Sequence, residues 1–362
     1  MKINYDKKLD FDDVLIEPKR GNIPTRSQVS LLREFSFLHT KEKWTGVPIV
    51  SANMDTTGTF EMAEALWKHK MLTAIHKHYT LEEWGDFAEN FKNTDIFNHI
   101  IVSTGISNDD FDKTIEIFKL VPDVKFLCID VANGYTDNFV SFVSKARNHK
   151  SLKDKIIMAG NVVTGNMAEV LIKSGADIVK VGIGPGSVCT TRVVTGVGMP
   201  QLSAIIDCSD AAHGMKGHTI GDGGCKNPAD ISKAFCAGAD FVMIGGIFSG
   251  HDESGGDVIK DEHGNLFKEY YGMSSSKAMN KHSGGVAGYR ASEGKLVRVP
   301  YKGSINKTIQ QILGGIRSTC TYIGAEKIKE MHKRATFNLV NRQVNNVYGN
   351  SDGLSKNNIW LL

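Results

Sequence analysis

The sequence predicts a parallel (β/α)8 barrel, a TIM barrel, and three observations point there. Eight short β-branched runs each close on or beside Gly, Asn, Asp or a charged residue, with helical stretches between them. The runs are almost continuously apolar, as strands covered on both faces must be. Most run starts lie 22 to 30 residues apart, the length of one βα unit. An open doubly wound sheet fits this pattern less well than a closed barrel.

Taken in order, Ile49–Asp55 is the first strand, followed by a helical pattern over Thr59–His69. Met71–Lys77 and His99–Gly105 come next, the latter followed by a helix over Asp109–Leu120. Phe126–Gly134 leads into Asp137–His149, and Ile156–Val162 into Asn166–Ser174. Ile178–Gly184, His218–Gly224 and Phe241–Gly246 complete the set, with helices at Pro200–His213 and Pro228–Ala237. Pro200 and Pro228 stand where a proline at the first helical position is tolerated. The sixth and seventh strands start 40 residues apart, and the excess holds Gly184-Pro-Gly-Ser-Val-Cys-Thr-Thr-Arg192. A second excess, Phe248 to about Ser304, precedes the helical run Ile305–Thr319. Barrel enzymes carry their chemistry on loops after the strands, so these two insertions are where a site is expected. The expectation is one barrel domain over residues 1–362, with a flap at about 248–304 inside it.

The 43 basic and 40 acidic residues leave a net charge of +3, which excludes a charge-driven nucleic-acid binder. Apolar residues make up 41% and charged ones 23%, an ordinary globular balance. Glycine, at 37 of 362, exceeds the usual share of ~7% and marks turns and close backbone approaches. Cysteines stand at 128, 189, 208, 225, 236 and 320, with no C-x-x-C pair. Met1–Asp10 has no secretory apolar core, and no run approaches the ~18–20 apolar residues of a membrane helix. A cytoplasmic protein with reduced thiols and no membrane contact is expected.

Cys189 is the candidate nucleophile. Gly184, Gly186, Ser187, Thr190 and Thr191 leave it room, and Arg192 is near enough in sequence to favour a thiolate. Most free cysteines are small buried hydrophobes, and that reading is taken for Cys128, Cys208, Cys236 and Cys320. Asp222-Gly223-Gly224 and Gly245-Gly246 end the seventh and eighth strands, the usual phosphate cradle of barrel enzymes. Asp222 adds a carboxylate suited to a ribose diol. Gly182–Ser187 lacks the third glycine spacing of a dinucleotide fingerprint. His76 and His78 have the spacing that puts two rings on one strand face, yet later strand ends supply no further histidine, so a metal hydrolase is disfavoured. Lys180 inside the sixth strand is read as structural in preference to a Schiff-base lysine.

Asp10-Phe-Asp-Asp-Val-Leu15, Gly182–Arg192, the two glycine pairs and Tyr271-Gly-Met-Ser274 together resemble the IMP dehydrogenase/GMP reductase family. Ile75-His-Lys-His-Tyr79, Asp130-Val-Ala-Asn-Gly134 and Tyr289-Arg-Ala-Ser-Glu-Gly-Lys295 are similar to its reductase branch. The likeness runs from about residue 9 to about 340. The stretch from Lys77 to His99 leaves no room for the regulatory domain that dehydrogenases of the family usually insert there.

The resemblance implies NADPH-dependent reductive deamination of GMP to IMP and ammonia through a thioimidate on Cys189. It implies a proton relay of Thr191 and Glu293, with Lys77 assisting protonation. Ser187, Asp222, Gly223, Gly224, Gly245, Gly246, Gly272, Met273, Ser274, Arg290, Ser292 and Gly294 would hold the nucleotide. Thr25, Arg26, Lys77, Asp130, Val131, Ala132, Met273, Tyr289, Arg290 and Ser318, Thr319, Cys320 and Thr321 would hold NADPH. The last four would act at a neighbouring subunit's site, which implies a homotetramer. Gly184, Gly186, Cys189 and Arg192 would offer carbonyls to K+. Two other classes fit the same barrel: an IMP dehydrogenase, and a non-catalytic purine-nucleotide sensor. The intact Cys189, Thr191 and Glu293 speak against the sensor, and Tyr289–Lys295 with the short chain against the dehydrogenase. The glycine-rich flap is expected to act as a lid over Ser275–Lys295, bringing Arg290 and Glu293 to the site on closure.

Overall fold

The computed structural model describes residues 3–282, 284–286, 288–289 and 291–341. Arg290, expected at both the nucleotide and the NADPH site, lies outside them.

The chain opens with β1 (Val14–Ile16), then a hairpin of β2 (Arg33–Ser36) and β3 (Lys43–Gly46). The βα units follow: β4 (Ile49–Ser51), α1 (Phe60–Trp67), β5 (Leu72–Ile75), α2 (Leu81–Phe91), β6 (Ile100–Thr104) and α3 (Asn108–Leu120). Next come β7 (Phe126–Asp130), α4 (Asp137–Asn148), β8 (Ile156–Val162), α5 (Gly165–Lys173), β9 (Ile178–Val181), the short α6 (Thr191–Thr195) and α7 (Gln201–Gly214). The series ends with β10 (His218–Asp222), α8 (Pro228–Cys236) and β11 (Phe241–Ile244). Strands β4 to β11 close into one parallel barrel, with β11 pairing back onto β4. The flap holds β12 (Val258–Lys260), β13 (Leu266–Tyr271), α9 (Ser276–His282) and β14 (Leu296–Pro300), the three strands forming an antiparallel sheet. Helices α10 (Asn306–Ile323) and α11 (Met331–Arg334) and strand β15 (Phe337–Leu339), which pairs with β1, complete the described chain.

Residues along each barrel strand alternate between two apolar layers. Val50, Leu72, Ile101, Phe126, Ile156, Ile178, Ile220 and Phe241 fill the barrel interior. Ile49, Ile75, Ile100, Leu127, Ile157, Val179 and Val242 pack outward under the helices. The β2–β3 hairpin plugs the N-terminal end of the barrel: Phe35 stacks on Phe241 at 4.3 Å and Trp44 meets Phe126 edge-on at 6.0 Å. The opposite end is left to the loops.

All eight expected strands and the expected helices are present, and the differences are local. Helix α2 stands outside the expected set: it begins at a Thr80/Glu83 capping box but buries only Trp84 and Phe87, a thin stripe among acidic residues. Pro200 is the residue before α7, not its first; Pro228 is at the start of α8 as expected. Strand β5 stops at Ile75, so His76 and His78 lie beyond it, where the His78 N–H donates to His76 Nδ1 at 3.2 Å. Within the flap, β12 and β13 form an antiparallel hairpin to which β14 adds a third strand. Among the described residues no helix is long and apolar enough to cross a membrane.

Candidate active site

A cleft of about 280 Å³ opens where the loops after the barrel strands meet the flap. Cys189, half-buried, stands in it together with Thr191 and Glu293. The Cys189 thiol donates to Thr191 Oγ1 at 3.2 Å, and the Thr191 hydroxyl donates to Glu293 Oε2 at 2.7 Å. Backbone pairing fixes this chain of groups. Thr190 N–H donates to the Glu293 carbonyl at 2.9 Å, Glu293 N–H to the Ser274 carbonyl at 3.1 Å and Lys295 N–H to the Val188 carbonyl at 2.9 Å. The flap strand thus threads between the cysteine loop and residues 272–275. Glycine is required at the crossing: a Cβ on Gly294 would lie 2.9 Å from Ser275 N, and one on Gly272 3.0 Å from the Val188 carbonyl.

The floor of the cleft is an ionic cluster. Lys180, 3% exposed, donates to Asp130 Oδ1 at 2.8 Å, Asp222 Oδ2 at 2.6 Å and Asn161 Oδ1 at 3.1 Å. Burial would push the ammonium pKa down, but the two carboxylates outweigh it and hold the amine above its ordinary range. The lysine is therefore a fixed cation and not an amine nucleophile. In turn Lys180 draws the Asp130 carboxyl below its usual range against the upward push of burial.

Beside this floor, Gly223 and Gly224 adopt left-handed φ values of +88° and +85°, which carry the chain sharply out of β10. Gly245 and Gly246 let two hydroxyls approach the bare backbone closely. A Cβ on Gly246 would sit 3.0 Å from Ser187 Oγ, and one on Gly245 2.7 Å from the Tyr270 hydroxyl. Bare backbone, Ser187 and Tyr270 therefore converge on one spot suited to an anion. Burial pushes the Tyr270 phenol up, so it remains a neutral donor.

Residues 8–346 match the IMP dehydrogenase / GMP reductase domain. The chain belongs to the IMP dehydrogenase/GMP reductase family. It is 59% identical over 349 residues to a GMP reductase of Photobacterium profundum, covering 96% of this chain and 99% of that relative. A GMP reductase of Aliivibrio salmonicida is 58% identical and one of Vibrio cholerae 57%, each over the same shares.

The other residues that the family resemblance pointed to divide into three groups. Ser187, Asp222, Gly223, Gly224, Gly245, Gly246, Gly272, Met273 and Ser274 line the cleft, as do Asp130, Val131 and Ala132. Gly294 and Ser292 instead build the crossing, the Ser292 hydroxyl donating to the Gly294 carbonyl at 3.0 Å. Lys77 is not in the cleft lining: its ammonium donates to both oxygens of Asp110, at 3.1 and 3.2 Å, at the start of α3. Tyr289 is 90% exposed. Thr25 and Arg26 lie on a turn that packs against α10, the helix carrying Ser318 to Thr321, and none of these lines the cleft. Cys320 is fully buried, main chain included, and its carbonyl accepts from Ala325 N–H at 2.9 Å, while Thr319 Oγ1 is spent on Ser232 at 3.0 Å.

Arg192 does not act on the thiol as its sequence position suggested. Its guanidinium donates to Asp10 Oδ2 at 3.3 Å and to the Met199 carbonyl, and its stem packs against Gly184 and Gly198. Cys128, Cys208, Cys236 and Cys320 are buried as expected. Tyr270, Met54, Asn53 and Lys226 are among the cleft residues outside the set expected from the sequence. Tyr270 had a signal, since it directly precedes the Tyr271–Ser274 motif. The flap is further tied to the barrel by buried Asp55, whose Oδ2 accepts from the Tyr271 hydroxyl at 2.7 Å and Lys281 at 3.0 Å, with His282 Nε2 at 2.7 Å.

Proposed function

We propose that this protein is a GMP reductase, converting GMP, NADPH and two protons to IMP, NADP+ and ammonium. The observation that carries the reading is the unbroken chain from Cys189 Sγ through Thr191 Oγ1 to Glu293 Oε2 at the centre of the cleft. Purine C2 bearing an amine is a poor electrophile, and the amine is a poor leaving group until protonated. Cys189 adds through sulfur to C2, its proton passing to Thr191 and Glu293. The same two residues return protons to the exocyclic amine, the C2–N bond breaks, ammonia leaves, and C2 remains joined to Cys189 as a thioimidate. Bound NADPH supplies the hydride that reduces C2. The C2–S bond then breaks, the electron pair returns to sulfur, and IMP is released.

GMP fits the cleft through its chemistry. Its phosphate takes the spot shared by Ser187, Tyr270 and the Gly245–Gly246 backbone, and its ribose hydroxyls donate to Asp222. Met273 and Ser274 flank the base. Asp130, Val131 and Ala132 form the side of the cleft where the nicotinamide end of NADPH would lie. Thr25, Arg26 and the exposed part of Ser318–Thr321 form a separate patch, which suits contact with the NADPH of a neighbouring subunit in a homotetramer. K+ suits the cysteine loop by the type of donor, neutral backbone carbonyls. The Gly186 and Arg192 carbonyls each accept one backbone N–H, from Cys189 and Gly196, and retain a second lone pair.

Cys189→Ala tests the covalent step. The variant is expected to lose at least about a thousand-fold of GMP-dependent ammonia release while still binding GMP, because phosphate and ribose contacts lie elsewhere. Ammonia release within about ten-fold of the unaltered protein would rule out the thioimidate.

A further inference from the structure

We propose that Lys180 is a positioning residue that ties Asp222 to Asp130, so that the charge at the cofactor side of the cleft sets how well GMP binds. The inference rests on the reading of Asp222 as the ribose acceptor.

Strand alternation places Lys180 in the barrel interior, between Val179 and Val181, which face the helices. All three of its protons are committed, to Asp130, Asp222 and Asn161. Asn161 closes the ring by donating to the same Asp222 oxygen at 2.7 Å, and to the Gly182 carbonyl at 2.7 Å. On the far side Asn53 donates to Asp130 Oδ2 at 2.9 Å. One buried cation therefore serves two carboxylates, and the cluster carries a net negative charge. Each carboxylate competes for the same buried ammonium, while their outer edges, 33% exposed for Asp130 and 20% for Asp222, face the cleft. If Asp130 is neutralised, Lys180 turns its whole charge on Asp222, whose oxygens become poorer acceptors for a ribose hydroxyl. Coupling of this kind is reciprocal, so a ligand on either carboxylate is felt at the other.

Calorimetric titration of GMP into the full-length protein, without NADPH, tests this. Asp130→Asn is expected to weaken GMP binding roughly five-fold, although the proposed pose puts Asp130 on the cofactor side. In a Lys180→Met background the same change is expected to have no effect on GMP binding. GMP affinity of Asp130→Asn within about two-fold of the unaltered protein would overturn the coupling, as would an undiminished effect in the Lys180→Met background. If Lys180→Met does not fold, the Asp130→Asn comparison decides alone. The unaltered protein is titrated first: failure to bind GMP there overturns the nucleotide reading itself, and this inference with it, before any variant is compared.

Discussion

Glu293 and Thr191, 102 residues apart in the chain, meet through a 2.7 Å hydrogen bond beside Cys189. The flap strand brings them together, and its backbone bonds to the cysteine loop fix the carboxylate independently of the side-chain contact. The Cys189–Thr191–Glu293 arrangement is thus held by main-chain pairing, which leaves the side chains free for the proposed proton movement.

Glu293→Gln is expected to slow ammonia release from GMP by roughly a hundred-fold or more, since a carboxamide keeps the shape but shuttles no proton. Hydride exchange between IMP and NADP+ needs no proton on the amine and is expected to fall far less. Equal losses in the two assays would assign Glu293 to flap structure or substrate binding.

Gly294→Ala probes the crossing. Its Cβ would meet Ser275 N at 2.9 Å and Gly272 Cα at 3.2 Å, both main-chain atoms with no side chain to swing aside. The crossing must open, which displaces Glu293 from Thr191. A drop in kcat of about ten-fold or more is expected, with thermal stability changed little because the flap sheet lies outside the barrel core. Unchanged kcat would show that the relay does not depend on this register.

The barrel was legible because strands buried on both faces must be runs of apolar residues, and Val50 to Phe241 obey that requirement. The cysteine loop was legible because its extra length falls after a strand. Thr191 and Glu293 were reached only through resemblance: a lone threonine and a lone glutamate carry no period, and their pairing depends on a flap crossing that local sequence does not encode. Lys180 was legible as an oddity inside an apolar run, but its two carboxylates come from β7 and β10, which only barrel closure brings together. The flap's β14 was missed because its residues alternate weakly and its neighbours are polar.

Burial lowers the His76 pKa from 6.5 to about 3 against the opposing pull of the Asp55 carboxylate, and burial lowers that of His78 to about 4. Both rings are thus kept neutral in the folded chain, as the hydrogen bond accepted by His76 Nδ1 requires. Below pH 6.5 the unfolded chain binds protons that the folded chain refuses, so stability falls as pH drops from about 6.5 towards 4. Asp55, whose carboxyl is held below its ordinary range, keeps its contribution throughout that window. For His76 the loss at pH 5 is on the order of 1–2 kcal/mol. His76→Asn keeps an acceptor near Nδ1 and removes the titration, so its melting temperature is expected to fall less between pH 7 and pH 5. Equal falls in both proteins would place the acid sensitivity elsewhere.

The proposed function requires that this barrel run its cysteine chemistry towards reduction of GMP. Absorbance at the reduced nicotinamide band, followed with GMP plus NADPH and separately with IMP plus NAD+, measures it directly. GMP-dependent loss of NADPH is expected, matched by equal amounts of IMP and ammonia, with no sustained reduction of NAD+ by IMP. Steady NADH formation from IMP, with no loss of NADPH in the presence of GMP, would contradict it.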